Sequence, residues 1–220
     1  MKFSEALDIR PGLTAIIGSG GKSTLLQVLA EELAPATVLL CTTTHMCPTP
    51  GVPFSESEEE RQLAEALALH GTVCLGTPMP DGRITAPALP MKTLMALADY
   101  VLVEADGSRT LPLKAHAPHE PVIPAEADQV VCVVGISGVG KPITAAAHRP
   151  EQYASLAGVE VLAIVTPEIA AAVLNGEGLA DRYYINQVAD QGDLAAARAL
   201  AALLHAPAAY GSLHRRDIQC

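Results

Sequence analysis

The chain has no tryptophan and only two phenylalanines and five tyrosines, so a buried core has to be assembled from Ala, Leu, Val and Ile. Basic residues are also few. Lys and Arg number 14 against 24 Asp and Glu, a formal charge of −10, and no run of five Lys or Arg occurs. A nucleic-acid surface needs a basic stripe to neutralise phosphates, so nucleic-acid binding is excluded as an expectation. No apolar run approaches the length that spans a bilayer, so no membrane partner is expected. Met1–Pro11 mixes polar and apolar residues and has no apolar signal region. The five cysteines are odd in number and irregularly spaced, with Cys41, Cys74 and Cys132 inside apolar runs. They read as buried free thiols, and a cytoplasmic protein is the simplest fit.

What is present is ample apolar material. Half of the 220 residues are hydrophobic and 17% are charged, enough for a single domain over 1–220 with a well-buried core. The organising stretch is Leu13–Thr24, Leu-Thr-Ala-Ile-Ile-Gly-Ser-Gly-Gly-Lys-Ser-Thr. It reads as an apolar strand, a glycine turn and the opening of an amphipathic helix that runs to about Ala34. Gly18, Gly20 and Gly21 let the turn take left-handed angles and bring main-chain N–H groups close to an anion. Ser19, Ser23 and Thr24 complete the cradle, and the helix start adds its dipole. Lys22 can reach the β- and γ-phosphates of ATP or GTP, and Ser23 can ligate Mg²⁺. The full G-x-x-x-x-G-K-[ST] pattern would place glycine where Ile16 stands; the shorter loop resembles that of the Mur ligase group.

Further along, the run at 37–43 reads as a strand buried on both faces, and its end carries Thr42, Thr43 and Thr44. Ligands of open α/β sheets sit beyond the carboxyl ends of strands, so Thr43 and Thr44 are expected to face the phosphates. A Pro/Gly loop (47–53), an acidic helix start (55–60), a helix to His70 and a strand at 72–75 follow. Residues 76–90 read as a hairpin or exposed loop, and 92–99 as a short helix. Tyr100–Asp106 is apolar until Glu104 and Asp106, a placement like that of the strand-end carboxylate that holds Mg²⁺. One of the two, Asp106 in the first instance, is expected at the metal with Ser23; the other would orient a water or a substrate group.

The segment 109–124 carries four prolines, Pro112, Pro118, Pro121 and Pro124, which exclude the helical spacing that His116, His119 and Glu120 would need to bind zinc. It reads as an extended loop with polar tips over the site, where Arg109, Lys114, His119 and Glu120 are candidate phosphate or second-substrate contacts. A buried strand at 129–136 leads into a loop whose Lys141 is followed by Pro142 rather than Ser or Thr, so no second cradle is expected. Helices are expected to open at 148–151, at 166–168 (ending near 175–176) and over 194–204. A strand at 182–188 ends in Asn186 and Gln187, followed by Asp190; Asn186 and Asp190 are suggestive base-reading residues. An edge strand at 208–212 closes a three-layer α/β/α arrangement with a mainly parallel sheet, P-loop NTPase-like.

Taken together, Gly18-Ser-Gly-Gly-Lys-Ser-Thr24, Thr42-Thr-Thr44, Val103-Glu-Ala-Asp-Gly107, Pro118-His-Glu-Pro-Val-Ile-Pro124, Gly140-Lys-Pro142, His148-Arg-Pro-Glu151 and Asn186-Gln187 resemble the YqeC family. The resemblance spans about 13–190. It implies a P-loop-type nucleotide-binding protein, accessory to a selenium-dependent molybdenum hydroxylase or to the maturation of its cofactor, with that hydroxylase or a maturation protein as partner. Three functions are then open. The first is a Mg²⁺-dependent NTPase or NTP-using enzyme, with Lys22, Glu104 and Asp106 catalytic. The second is a nucleotide-gated delivery module that switches the loops at 47–53 and 109–124. The third is phosphoryl or chalcogen transfer through Cys41 or Cys47.

Overall fold

The computed structural model describes residues 1–57 and 59–220. A single turn, α1 (Phe3–Ala6), precedes β1 (Gly12–Gly18), α2 (Lys22–Leu33) and β2 (Val38–Thr42). Next come β3 (His45–Met46), β4 (Phe54–Ser55), α3 (Glu60–His70), β5 (Thr72–Leu75), β6 (Thr77–Pro78), β7 (Ile84–Thr85), α4 (Met91–Leu97) and β8 (Tyr100–Glu104). The remainder holds β9 (Leu113–Lys114), β10 (Gln129–Gly135), α5 (Ile143–Ala146), β11 (Ala147–His148), α6 (Pro150–Ala157), α7 (Pro167–Glu177), β12 (Arg182–Asn186), α8 (Gln191–Leu203), β13 (Ala208–Ser212) and β14 (Asp217–Gln219).

Nine strands form one sheet in the order β14-β13-β12-β10-β1-β8-β2-β5-β4. Every neighbouring pair in it is parallel except β13 with β14. Its central strands are continuous apolar runs because both faces are covered. On one face Leu25, Leu26 and Leu29 of α2, with Phe3 and Leu7, pack on Ile16, Leu40 and Val133. On the other, α3 and α4 cover one half through Leu63, Leu67 and Leu94. The other half is covered through Tyr153, Val173, Leu174, Ala197 and Leu200 of α6, α7 and α8. The result is the three-layer α/β/α arrangement expected from the alternation of strands and helices.

The topology decides where a ligand can sit. From β1 the chain crosses through α2 to β2 on one side, beyond β8, while β10, β12 and β13 are added on the other side. β1 is therefore a switch point, and the space beyond its carboxyl end is where doubly wound sheets bind ligands. Gly18 stands there with φ +90°, and a Cβ on it would lie 2.3 Å from the Val133 carbonyl oxygen of β10.

Several boundaries moved. β8 stops at Glu104, so Asp106 lies two residues past the strand end. Segment 76–90 does form the expected hairpin, β6 against β7, with β3 on its other side. The helix α7 continues past Asn175 to Glu177 and ends on left-handed Gly178. The acidic stretch 55–60 enters α3 only at Glu60; Glu58 lies outside the described residues.

A Gly18→Ala substitution should lose clearly more stability than Gly82→Ala. Both residues have left-handed φ (+90° and +80°), but a Cβ at Gly82 meets nothing within 4 Å. Gly82→Ala therefore reports the conformational penalty alone, about 1–2 kcal/mol, and Gly18→Ala adds a collision with the backbone of β10. Denaturant titration of the two variants checks this; equal losses would mean that strand contact does not dictate glycine at position 18.

Candidate functional site

At the head of α2 the main chain turns its donors outward. The Ser19 N–H is used internally, by Val133 O at 2.8 Å, and Gly18 N–H by Asp106 Oδ2 at 2.8 Å. Among the described residues, no protein acceptor takes the N–H of Gly20, Gly21, Lys22, Ser23 or Thr24. These groups edge an open cleft of about 400 Å³, whose other walls are Glu104, Ser108, Thr110, Asn186, Gln187 and residues 212–214. That volume is in the range of small-molecule sites. A separate enclosed void of about 10 Å³ lies among Ser19, Lys114, His116, Cys132 and Tyr153 and has room for no more than one water.

Two side-chain pairs tie the helix start to β8. Ser23 Oγ donates to Glu104 Oε2 at 2.9 Å. Lys22 Nζ donates to Gly18 O at 2.9 Å, lies 3.0 Å from Asp106 Oδ1, and lies 3.9 Å from Glu104 Oε1. The Lys22–Asp106 contact is an ion pair without hydrogen-bond alignment, since Asp106 Oδ1 has no hydrogen-bond partner. The register of β1 on β8 makes this possible. Ile16 lies opposite Glu104, which brings Asp106 level with Gly18.

Asp106 has no solvent exposure, and a shell of cations keeps it charged. Its Oδ2 accepts from His116 Nε2 at 2.7 Å and lies 3.1 Å from Lys114 Nζ. Burial pushes its pKa up, but His116, Lys22 and Lys114 together outweigh this and hold it at about 2. His116 also donates from Nδ1 to Glu177 Oε2 at 2.8 Å. Burial opposes its charge, yet the two carboxylates win and its pKa is raised. Behind it, Glu120 accepts from Lys114 at 2.7 Å and from Arg149 at 2.9 Å. Burial pushes Glu120 up, and these partners bring it down to about 2. Glu104 goes the other way. Burial dominates over the pull of Lys22, and its pKa is raised. Two carboxylates on one strand end are thus driven apart, the pattern that assigns them different work.

The residues singled out in the sequence fall into three groups. Gly18, Ser19, Gly20, Gly21, Lys22, Ser23, Thr24, Glu104 and Asp106 come together at the switch point. Ser23 pairs with Glu104, however, while Asp106 is enclosed beneath the turn. This reverses the expected shares of the two carboxylates, because Asp106 sits past the strand end, level with Gly18. Thr43 and Thr44 do not line the cleft. The Thr43 hydroxyl donates to Val122 O, and the Thr44 carbonyl accepts from Thr85 Oγ1. Asn186 lines the cleft but is committed to the scaffold. Its Nδ2 donates to Gly20 O at 2.7 Å and its Oδ1 accepts from Leu213 N–H at 3.0 Å. Asp190 caps α8 by accepting from Asp193 N–H at 2.9 Å and is therefore unsuited to reading a base.

The segment 109–124 is also corrected. Lys114 and His116 are buried rather than polar tips, because the carboxylate of Asp106 draws them inward, and β9 pairs with β11. Arg109 and His119 remain exposed. Cys41 is fully buried and its thiol is pushed up to about 12 by burial, which removes it as a thiolate carrier. Sequence reasoning missed Glu177, three residues beyond Leu174, and the cleft wall of Gln187 and 212–214. Its one available signal was helical phase, which puts Glu177 on the same face as Leu174 and Val173.

Among the described residues no group of three or more His, Cys, Asp or Glu side chains is placed to hold a metal. A divalent ion at Ser23 and Glu104 would take its other ligands from a bound phosphate and water, which is how Mg²⁺ commonly binds; the donor set fits Mg²⁺. The protein-family model described as YqeC protein matches residues 14–151 of this chain. A similar curated protein, "Uncharacterized protein YqeC" of Escherichia coli (strain K12), is 35% identical over 159 residues, 68% of this chain. The match spans 62% of that relative's length.

Asp106→Asn should destabilise the fold by about 3–5 kcal/mol, because it strands buried Lys22, Lys114 and His116 without their shared counter-charge; a loss under 1 kcal/mol in urea would contradict this shell. The raised pKa of His116 also has a sign. Its stabilisation is complete below the ordinary histidine value of 6.5 and is lost as pH rises through the higher folded value. Stability of the unsubstituted protein should therefore decline above pH 6.5 with a component that His116→Gln lacks; parallel pH profiles would remove His116 from the balance.

Proposed function

The chain belongs to the YqeC family, and from its site we propose that it is a Mg²⁺-dependent nucleoside-triphosphate-binding protein of P-loop type that hydrolyses or otherwise uses ATP or GTP. One observation carries the reading. Lys22 and Ser23, side by side at the head of α2, reach across to Asp106 just beyond the neighbouring strand and to Glu104 at its end. A helix start with free N–H groups beside a strand-end carboxylate supports this reading, because phosphoryl transfer needs that arrangement.

In this reading the N–H groups of Gly20 to Thr24 hold the phosphate oxygens, and Lys22 supplies positive charge beside them. Ser23 and Glu104 would hold Mg²⁺, which supplies electrophilic charge to the phosphate oxygens. Asp106, kept ionised by Lys114 and His116, fixes the position of Lys22. Catalysis would then be mostly positioning and preorganised charge. Maturation of a selenium-dependent molybdenum hydroxylase or its cofactor, with such a protein as partner, is supported by the family resemblance of the motifs and is part of the proposal.

Thermal shift with ATP, GTP and their diphosphates tests the reading, since a ligand that binds only the native state raises its midpoint. At a nucleotide concentration about a hundredfold above Kd the native state should gain about 2.7 kcal/mol. Lys22→Ala should abolish the shift, and Ser23→Ala should remove its Mg²⁺ dependence. No shift with any nucleotide plus Mg²⁺ in the unsubstituted protein would sink the reading.

A further inference from the structure

The segment from Gly107 to Pro112 arches from the end of β8 over the glycine turn. Its first residue is pinned by Lys114 Nζ, which donates to Gly107 O, and its far end by Ser19 Oγ, which donates to Leu111 O. Pro112 O accepts from Gly135 N–H at 2.8 Å. Between these anchors Arg109 and Thr110 both have left-handed φ, +44° and +62°. Two consecutive non-glycine residues in this region, one of them β-branched, are a strained choice. Such strain persists where surrounding structure over-determines it, and it concentrates at ligand clamps and switch regions. Ser108 and Thr110, on either side of Arg109, line the cleft.

Charge points the same way. The one lysine or arginine among the cleft-lining residues is Lys22, already paired with Asp106 and Glu104. A nucleoside triphosphate brings several negative charges, so the cradle is short of free positive charge. Arg109 is exposed and has no carboxylate partner among the described residues. Glu120, further along the chain, is already shared by Lys114 and Arg149. Arg109 is therefore an exposed cation in a strained arch whose flanking residues line the cleft.

We propose that Arg109 is a phosphate-contacting residue of this protein, carried by the 107–112 arch onto the terminal phosphate of a nucleoside triphosphate in the cradle. This rests on the nucleotide reading above and adds a cation of its own to it. An arginine suits the task because its planar fork meets phosphate oxygens in pairs, and moving it would release the left-handed turn.

The experiment is calorimetric titration with Mg²⁺ and either a nonhydrolysable triphosphate analogue or the matching diphosphate, on the unsubstituted protein, Arg109→Ala and Arg109→Lys. The unsubstituted protein should prefer the triphosphate analogue. Arg109→Ala should lose roughly ten- to hundredfold in affinity for that analogue and none for the diphosphate, with Arg109→Lys in between. Equal weakening of both ligands, unchanged affinity for both, or an unsubstituted protein indifferent to the terminal phosphate would overturn the role of Arg109 while leaving the cradle standing. An unsubstituted protein that binds neither ligand would overturn the nucleotide reading and this inference with it.

Discussion

The structure turns on a carboxylate held under the glycine turn without any contact with water. A lone buried Asp would carry a desolvation penalty large enough to neutralise it, yet Asp106 stays ionised. It does so because two hydrogen-bond donors, the Gly18 N–H and His116, and two ammonium groups, Lys22 and Lys114, converge on it from four parts of the chain. Each of the four is positioned by a different structural fact. Gly18 ends β1, Lys22 opens α2, Lys114 sits in the β9–β11 pair, and His116 is braced by Glu177 at the end of α7. One charge therefore ties both helical layers to the sheet at its switch point.

The scarcity of aromatic residues is tied to the same geometry. With no indole to place, the layer under β1, β10 and β12 is filled largely by Ala, Val, Leu and Ile, with Tyr153, Tyr183 and Tyr210 as its large members. The α7 helix packs in this layer through Ala170, Ala171, Val173 and Leu174, and its last residue, Glu177, reaches His116. The fit is tight, since an ideal Cβ on Gly21 would fall 2.4 Å from Asn186 Nδ2. Asn186 is thus better understood as a strut than as a reader. It joins the turn at Gly20 to the loop after β13, and so fixes the width of the cleft between them.

Much of this was legible in the residues. The strand-turn-helix at 13–24, the buried parallel strands and the strand ending in Glu104 and Asp106 are local patterns, and period and turn chemistry report local patterns well. What the sequence did not disclose depends on register and on long-range charge. Whether Glu104 or Asp106 meets Ser23 is decided by how β8 is aligned on β1, which no spacing within β8 reveals. His116 and Lys114 looked like loop tips because prolines surround them. They turn inward because a buried anion more favourable than water waits there, and that anion becomes visible only once the sheet is assembled. Asn186 and Asp190 matched a base-reading pattern by type alone, and their hydrogen bonds are spent on a strut and a helix cap.

The redundancy around Asp106 bears on how the proposed cradle could bind and release an anion. If Lys22 were the sole partner of Asp106, a phosphate could win the ammonium only by leaving a buried charge unpaired, and removing one member of a buried pair is strongly unfavourable. Here Oδ2 keeps the Gly18 N–H, His116 and Lys114 whatever Lys22 does, and Oδ1 faces Lys22 without a directed hydrogen bond. Lys22 can therefore be shared with an incoming phosphate at modest loss. Glu104 has less support. Its carboxylate has Ser23 as a hydrogen-bond donor and Lys22 at 3.9 Å, and burial disfavours its charge. A divalent cation at the proposed site would favour that charge, so burial and register give the two carboxylates different surroundings: Asp106 enclosed among cations beneath the turn, Glu104 on the wall of the cleft.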